Sequence, residues 1–214
     1  MRTFAFRRLS VVARMGIVVL LASAAVPVTV VAQSSGRGVS VATLGHDKGD
    51  PKARVYVVEF GDFGCGYCAQ FARESWPVID SLYVRTGKVR WKYVPFVTGM
   101  FKNSREVSEA AECAGEQNAF WKMHDLLYLR RREWMASRAP RDLVGKYVRE
   151  LGLNEGTFAR CSMSTAARRR IVQNDGVAQS LYLRGTPTFF VNGRIIPGAI
   201  PLAEFRRILD GILR

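Results

Sequence analysis

Apolar and polar positions change their period several times along the chain, and each change marks an element. Val55-Tyr56-Val57-Val58-Glu59-Phe60 is a β-branched, apolar run that predicts a buried strand over residues 54–60. From residue 65 to about 86 the spacing becomes helical, with Pro77 expected to kink the helix at or near Trp76 and Gly87 to stop it. Val89-Arg90-Trp91-Lys92-Tyr93-Val94 alternates apolar and basic residues, as a strand with one solvated side would. Residues 106–119, 120–135, 141–151 and 164–183 carry apolar positions at helical spacing. Gly152 ends one of these runs, and Asn154 or Thr157 could cap another, so a bundle of four or five helices is expected. Strand character returns at Thr188-Phe189-Phe190-Val191, followed by Asn192-Gly193 and Arg194-Ile195-Ile196, a strong hairpin signal. Pro201 opens a last helix over residues 202–213, with Leu202, Phe205, Ile208, Leu209 and Ile212 on one face. The class is α/β: a βαβ unit, a helical insert, then a ββα unit.

The N-terminus stands apart from this fold. Arg2, Arg7, Arg8 and Arg14 precede an uncharged apolar stretch over residues 15–32, and Val30-Val31-Ala32 offers small residues before polar Gln33-Ser34-Ser35-Gly36. This reads as a secretory signal peptide cut after Ala32, with an uncleaved membrane anchor as the second reading. Either way the rest of the chain is expected outside the cytoplasm. The expected organisation is a leader over 1–32, a linker with one edge strand at 39–44 over 33–52, a first sheet half over 53–102, the helical insert over 103–184, and a second sheet half over 185–214.

With 214 residues, 48% of them hydrophobic, the chain can bury a full core without disulfide staples. Residues 1–32 hold four arginines and no acids, so the remainder keeps +10 of the formal +14 charge. Its basic residues are scattered, and the densest groups, Arg130-Arg131-Arg132 and Arg168-Arg169-Arg170, lie in helical segments. They read as solvated helix faces, which argues against nucleic acid as a partner. Attraction to a membrane surface or to acidic client chains is the alternative.

Cys65-Gly66-Tyr67-Cys68 falls where the first strand gives way to the helix. A C-x-x-C pair at such a junction is the thioredoxin-type redox arrangement, and the elements around it form a thioredoxin fold split by an inserted helical domain. Free N–H groups and the dipole at a helix start favour a thiolate, so Cys65 is the expected nucleophile. Cys68, one turn on, is the expected resolving thiol. Thr186-Pro187 opens a strand: a cis bond there would turn the Thr186 backbone toward Cys65 as a client-pairing edge, whereas a trans bond would be an ordinary strand start. Glu59 is a carboxylate in a buried strand, either a proton acceptor for Cys68 or a strand-end partner of a lysine such as Lys92. Asp62 and Phe63 are expected to shape the site entrance, and Tyr67 to contact clients. Cys113 and Cys161 pair as a structural disulfide or remain buried thiols. With one C-x-x-C and no second close pair near Cys113, His124 and Cys161, no metal is expected. His124 reads as a packed or surface residue, and no cofactor is expected.

Three motifs together carry a family resemblance: Val58-Glu59-Phe60-Gly61-Asp62-Phe63-Gly64-Cys65-Gly66-Tyr67-Cys68, Arg184-Gly185-Thr186-Pro187-Thr188-Phe189-Phe190-Val191-Asn192-Gly193, and Ala110-Ala111-Glu112-Cys113-Ala114 through Phe120-Trp121 to His124-Asp125. Over residues 38–214 the chain resembles the DsbA-like thiol:disulfide oxidoreductases of the thioredoxin superfamily. The resemblance implies an extracytoplasmic enzyme that exchanges disulfides with unfolded or reduced exported proteins and is reoxidised by a membrane redox partner. It also implies that Cys65 attacks, Cys68 resolves and Pro187 is cis. The familiar oxidase has Pro-His between its cysteines, whereas Gly66-Tyr67 with Thr186 before the proline resembles the isomerase branch. Those isomerases carry an N-terminal dimerisation domain, and only about 20 residues precede the fold here. A monomeric oxidase is therefore the expected form, with an isomerase or reductase kept reduced by a membrane partner as the alternative.

Overall fold

The computed structural model describes residues 40–214. The predicted leader over 1–32 lies outside them. Among the described residues no helix is long and apolar enough to cross a membrane. The elements run β1 (His46–Lys48), β2 (Val55–Gly61), α1 (Gly66–Glu74), α2 (Trp76–Ile79), a π-helical turn (Asp80–Val84), β3 (Val89–Pro95), α3 (Ser104–Gly115), α4 (Phe120–Leu129), α5 (Arg131–Ala136), α6 (Pro140–Glu150), α7 (Glu155–Met163), α8 (Ala166–Ser180), β4 (Thr188–Val191), β5 (Arg194–Pro197) and α9 (Leu202–Leu213).

The five strands lie in the order β1-β3-β2-β4-β5. Strand β3 runs parallel to β2, with Val57 opposite Trp91, and β4 runs antiparallel on the other side, with Glu59 opposite Phe189. Residue 59 therefore sits on the central strand, bracketed by two partners. Asn192 and Gly193 both take positive φ, 47° and 86°, the conformation a two-residue hairpin needs between right-twisted strands. One sheet face is covered by α1, α2 and α9 through Phe71, Trp76, Trp91, Phe189, Phe205 and Leu209. Phe205 and Leu209 are fully buried, and each such side chain is worth about 1.5–3 kcal/mol. The other face packs Val58, Phe60 and Val94 against Ala178 of α8. The core of the insert is continuous with Cys65, Cys68 and Phe63, so the helical domain forms one wall of the cysteine site.

Three sequence expectations are corrected. The edge strand is His46–Lys48 rather than residues 39–44, because the Leu44 carbonyl is taken by the Lys92 ammonium at 2.6 Å. Strand β3 has no fully solvated side: Lys92 is 2% exposed and pairs with Asp47 at 2.9 Å, leaving Arg90 as the outward base. The expected kink near Trp76 is present as a helix break at Ser75, with Pro77 in the first turn of the next helix, where its missing N–H costs nothing. The insert has six helices rather than four or five: the 120–135 run divides at Arg130, and α7 is capped by Asn154, whose side chain accepts from the Thr157 N–H at 2.8 Å.

Candidate active site

Strand β2 delivers the chain to a tight loop whose shape is fixed by Asp62. Its carboxylate accepts from the Gly64 N–H at 2.9 Å, from the Thr98 N–H and hydroxyl at 3.0 Å each, and from the Ser104 hydroxyl. The Cys65 N–H closes the loop on the Asp62 carbonyl at 2.9 Å. Asp62 and Phe63 are fully buried, so they support the loop from beneath rather than shape an entrance. Gly64 is required by close approach: a Cβ there would meet Cβ of Phe101 at 2.2 Å. Arg131 donates Nε and Nη2 to the Gly64 carbonyl, a role its place in an arginine run did not reveal.

Cys65 is the N-cap of α1, with an extended backbone (φ −71°, ψ 129°), and its carbonyl accepts from the Ala69 N–H at 3.0 Å. The Thr186–Pro187 peptide is cis, and the Cys65 thiol donates to the Thr186 carbonyl at 3.2 Å. Thus the loop before β4 and the N-terminus of α1 meet although a whole domain separates them in sequence.

Both cysteines are free thiols, 5% and 0% exposed, but their acidities diverge. A hydrogen bond from Cys68, with further donation from Thr186 and the backbone N–H groups of Cys68 and Tyr67, outweighs desolvation and pulls Cys65 down to about 5. Burial, followed by the neighbouring Cys65 and Glu59, holds Cys68 well above the ordinary thiol range. Glu59 is 3% exposed; burial lifts it to about 8, against the opposing hydrogen bond from Trp91 Nε1 at 3.1 Å. The alternative partner Lys92 is engaged elsewhere, by Asp47 and the Leu44 carbonyl.

Beside these groups the Tyr93 and Tyr128 hydroxyls share a buried hydrogen bond of 2.6 Å, a pair not foreseen because it joins β3 to the insert. Tyr67 is 68% exposed between the cysteines. His124 is packed against Tyr93 and Tyr128, with Nδ1 2.8 Å from Asp125, and burial lowers its pKa. Cys113 and Cys161 form a disulfide joining α3 to α7, with Cα atoms 5.6 Å apart. Among the described residues no group of three His, Cys, Asp or Glu side chains is placed to hold a metal ion.

A split thioredoxin fold thus brings together an acidic, helix-capping thiol, a buried partner thiol and a cis-proline, the groups that thiol-disulfide exchange needs. The family described as Thioredoxin matches residues 43–211, and the chain belongs to it. It is 38% identical over 151 residues to the Na(+)/H(+) antiporter NhaA 1 of Salinispora arenicola, a match covering 70% of this chain and 22% of the antiporter. A Rickettsia conorii protein named provisionally as a protein-disulfide oxidoreductase is 26% identical over 146 residues, covering 68% of this chain and 52% of that protein. The chain thus spans about a fifth to a half of the length of these relatives. Among solved structures, alpha-DsbA1 of Wolbachia pipientis superposes with a TM-score of 0.70 at 20% identity, over 78% of this chain and 89% of that one, which places the fold.

Proposed function

We propose that this chain works outside the cytoplasm as an oxidase, introducing disulfide bonds into exported proteins through Cys65 and Cys68. A client thiolate attacks Sγ of Cys65 in the oxidised pair, and Cys68 leaves and takes up a proton. A second client thiolate then attacks the client sulfur of the mixed disulfide, and Cys65 leaves as a thiolate. The client loses two electrons and its thiol protons, the cysteine pair gains the electrons, and a membrane redox partner removes them again. Glu59, protonated below about pH 8 and near enough to raise the Cys68 thiol, supplies in this reading the proton that Cys68 needs and takes it back in the reverse step. Thr186 and Pro187 offer the edge on which an extended client backbone pairs, and exposed Tyr67 offers a ring beside it. The protein is proposed to act as a monomer.

The observation that carries this direction is the inequality of the two thiols. A thiol at about 5 is a good leaving group, and a stabilised thiolate stabilises the reduced pair, which makes the disulfide oxidising. The Gly66-Tyr67 dipeptide supports the second reading, an isomerase or reductase held reduced by a membrane partner. The equilibrium potential against glutathione separates them: a value near roughly −120 mV is expected, whereas one near roughly −270 mV would establish the reductant.

A further inference from the structure

The two arginine triplets of the insert have different fates. On α8, Arg168 meets Glu109 at 3.2 Å, and Arg170 meets Glu112 at 2.8 Å and Glu116 at 3.0 Å, so their charge is neutralised in place. At the α4–α5 junction, Arg130, Arg131 and Arg132 instead line a cleft of about 610 Å³, whose opposite wall is Gly66, Ala69 and Arg73 of α1. Arg131 is committed to the Gly64 carbonyl, and Arg130 to Glu150 at 2.9 Å. Arg73 and Arg132 are exposed, and among the described residues neither has a carboxylate within ion-pair distance. Glu133, 3.9 Å from Arg130, is the one acid in the lining.

Four guanidinium groups therefore share a concave surface with a single carboxylate. A cleft whose lining is predominantly of one sign focuses its field, and an anion entering it relieves the repulsion between the arginines. Guanidinium also grips carboxylates through paired N–H groups, a geometry lysine lacks. Gly66 follows Cys65 directly, so the cleft adjoins the first turn of the helix that Cys65 caps. Its volume lies within the range of ordinary ligand pockets and suits a few residues of a peptide. Leu129, 71% exposed in the lining, gives an apolar rest for such a segment.

We propose that this cleft is a subsite for acidic peptide, so that clients with Asp or Glu beside the reacting cysteine are preferred. The preference rests on the exchange chemistry proposed above. Arg73 and Arg132 bind the carboxylates, and Arg131 holds the cleft in register with the cysteine loop.

Two labelled peptides of equal length, one flanked by Asp and Glu and one by Asn and Gln, test this with the full chain. With serine in place of cysteine they report binding by fluorescence anisotropy; with two cysteines they report oxidation by the disulfide form. The acidic serine peptide is expected to bind roughly tenfold more tightly at low salt, and its cysteine form to be oxidised correspondingly faster. That preference is expected to vanish in Arg73→Gln/Arg132→Gln and to persist in Arg169→Gln/Arg207→Gln, which removes the same charge elsewhere. A preference that survives the first variant, or falls equally in both, would overturn the subsite in favour of overall charge. Binding to phosphatidylglycerol vesicles through Arg73 and Arg132, with no preference between the peptides, would also overturn it. Preferential binding with neither cysteine peptide oxidised would overturn the exchange reading and leave the acidic subsite standing.

Discussion

Thr186 meets Cys65 across 121 residues of sequence with two groups of opposite preference. Its carbonyl accepts the thiol proton at 3.2 Å, and its hydrogen-bonding side chain favours the thiolate. Thr186→Val keeps the carbonyl and removes the hydroxyl. The pH midpoint of Cys65 alkylation by iodoacetamide is expected near 5 in the native chain and higher in the variant. An unchanged midpoint would show that Cys68 and the backbone N–H groups carry the whole effect. Cys68 is expected to resist alkylation throughout this range, since burial holds its thiol protonated.

The same asymmetry sets how the potential responds to pH. Above pH 5 the reduced pair holds Cys65 as thiolate and Cys68 as thiol, so two electrons enter with one proton. The potential should fall by about 30 mV per pH unit there, and by about 60 mV per unit below pH 5, where both thiols are protonated. A uniform steep slope up to pH 8 would mean that Cys65 is an ordinary thiol.

Glu59→Gln separates proton transfer from stability. In the oxidase direction Cys68 needs a proton on leaving, and in the reverse direction it must lose one, so exchange should slow by about a hundredfold. The inflection near pH 8 in the native rate profile should disappear. Stability moves the other way. Burial raises Glu59 above its ordinary 4.5, so its contribution is complete below that value and lost as pH rises through about 8. Chemical denaturation should therefore find the variant no weaker than the native chain at pH 8.5, with the native chain relatively better at pH 4.

The Cys113–Cys161 bridge closes a loop of 48 residues in the insert. Cys113→Ala/Cys161→Ala should lower stability by about 4 kcal/mol, less any strain released, on the chain-entropy account. The potential of the Cys65–Cys68 pair should stay as it is, because α3 and α7 carry none of the groups that set the acidity of Cys65.

Local chemistry made much of this fold legible. Asn192-Gly193 can hardly be anything but a tight hairpin, and the apolar stripe of residues 202–213 marks α9 residue for residue. The C-x-x-C at a strand-to-helix junction located the site for the same reason. What failed were features decided by distant partners. Lys92 reads as a solvated base until Asp47 and the Leu44 carbonyl arrive from another segment to surround it. Arg131 belongs to a run that looks like helix surface, yet Gly64 takes it. The helix break at Arg130 has no glycine or proline to announce it, and Asp62 gives no hint that Thr98 and Ser104 will close around it.

Strand β4 completes the sheet by lying against β2, and the Thr186 turn just before it completes the neighbourhood of Cys65. A ribosome therefore releases both reactive sulfurs long before the turn that shields and acidifies one of them. Until that late segment docks, Cys65 lacks its Thr186 partner in an unfinished chain that also carries Cys113 and Cys161, and four cysteines can pair in about three ways. Chain order thus leaves completion of the site to the last stretch of the chain, and no fragment ending before residue 186 holds an assembled site.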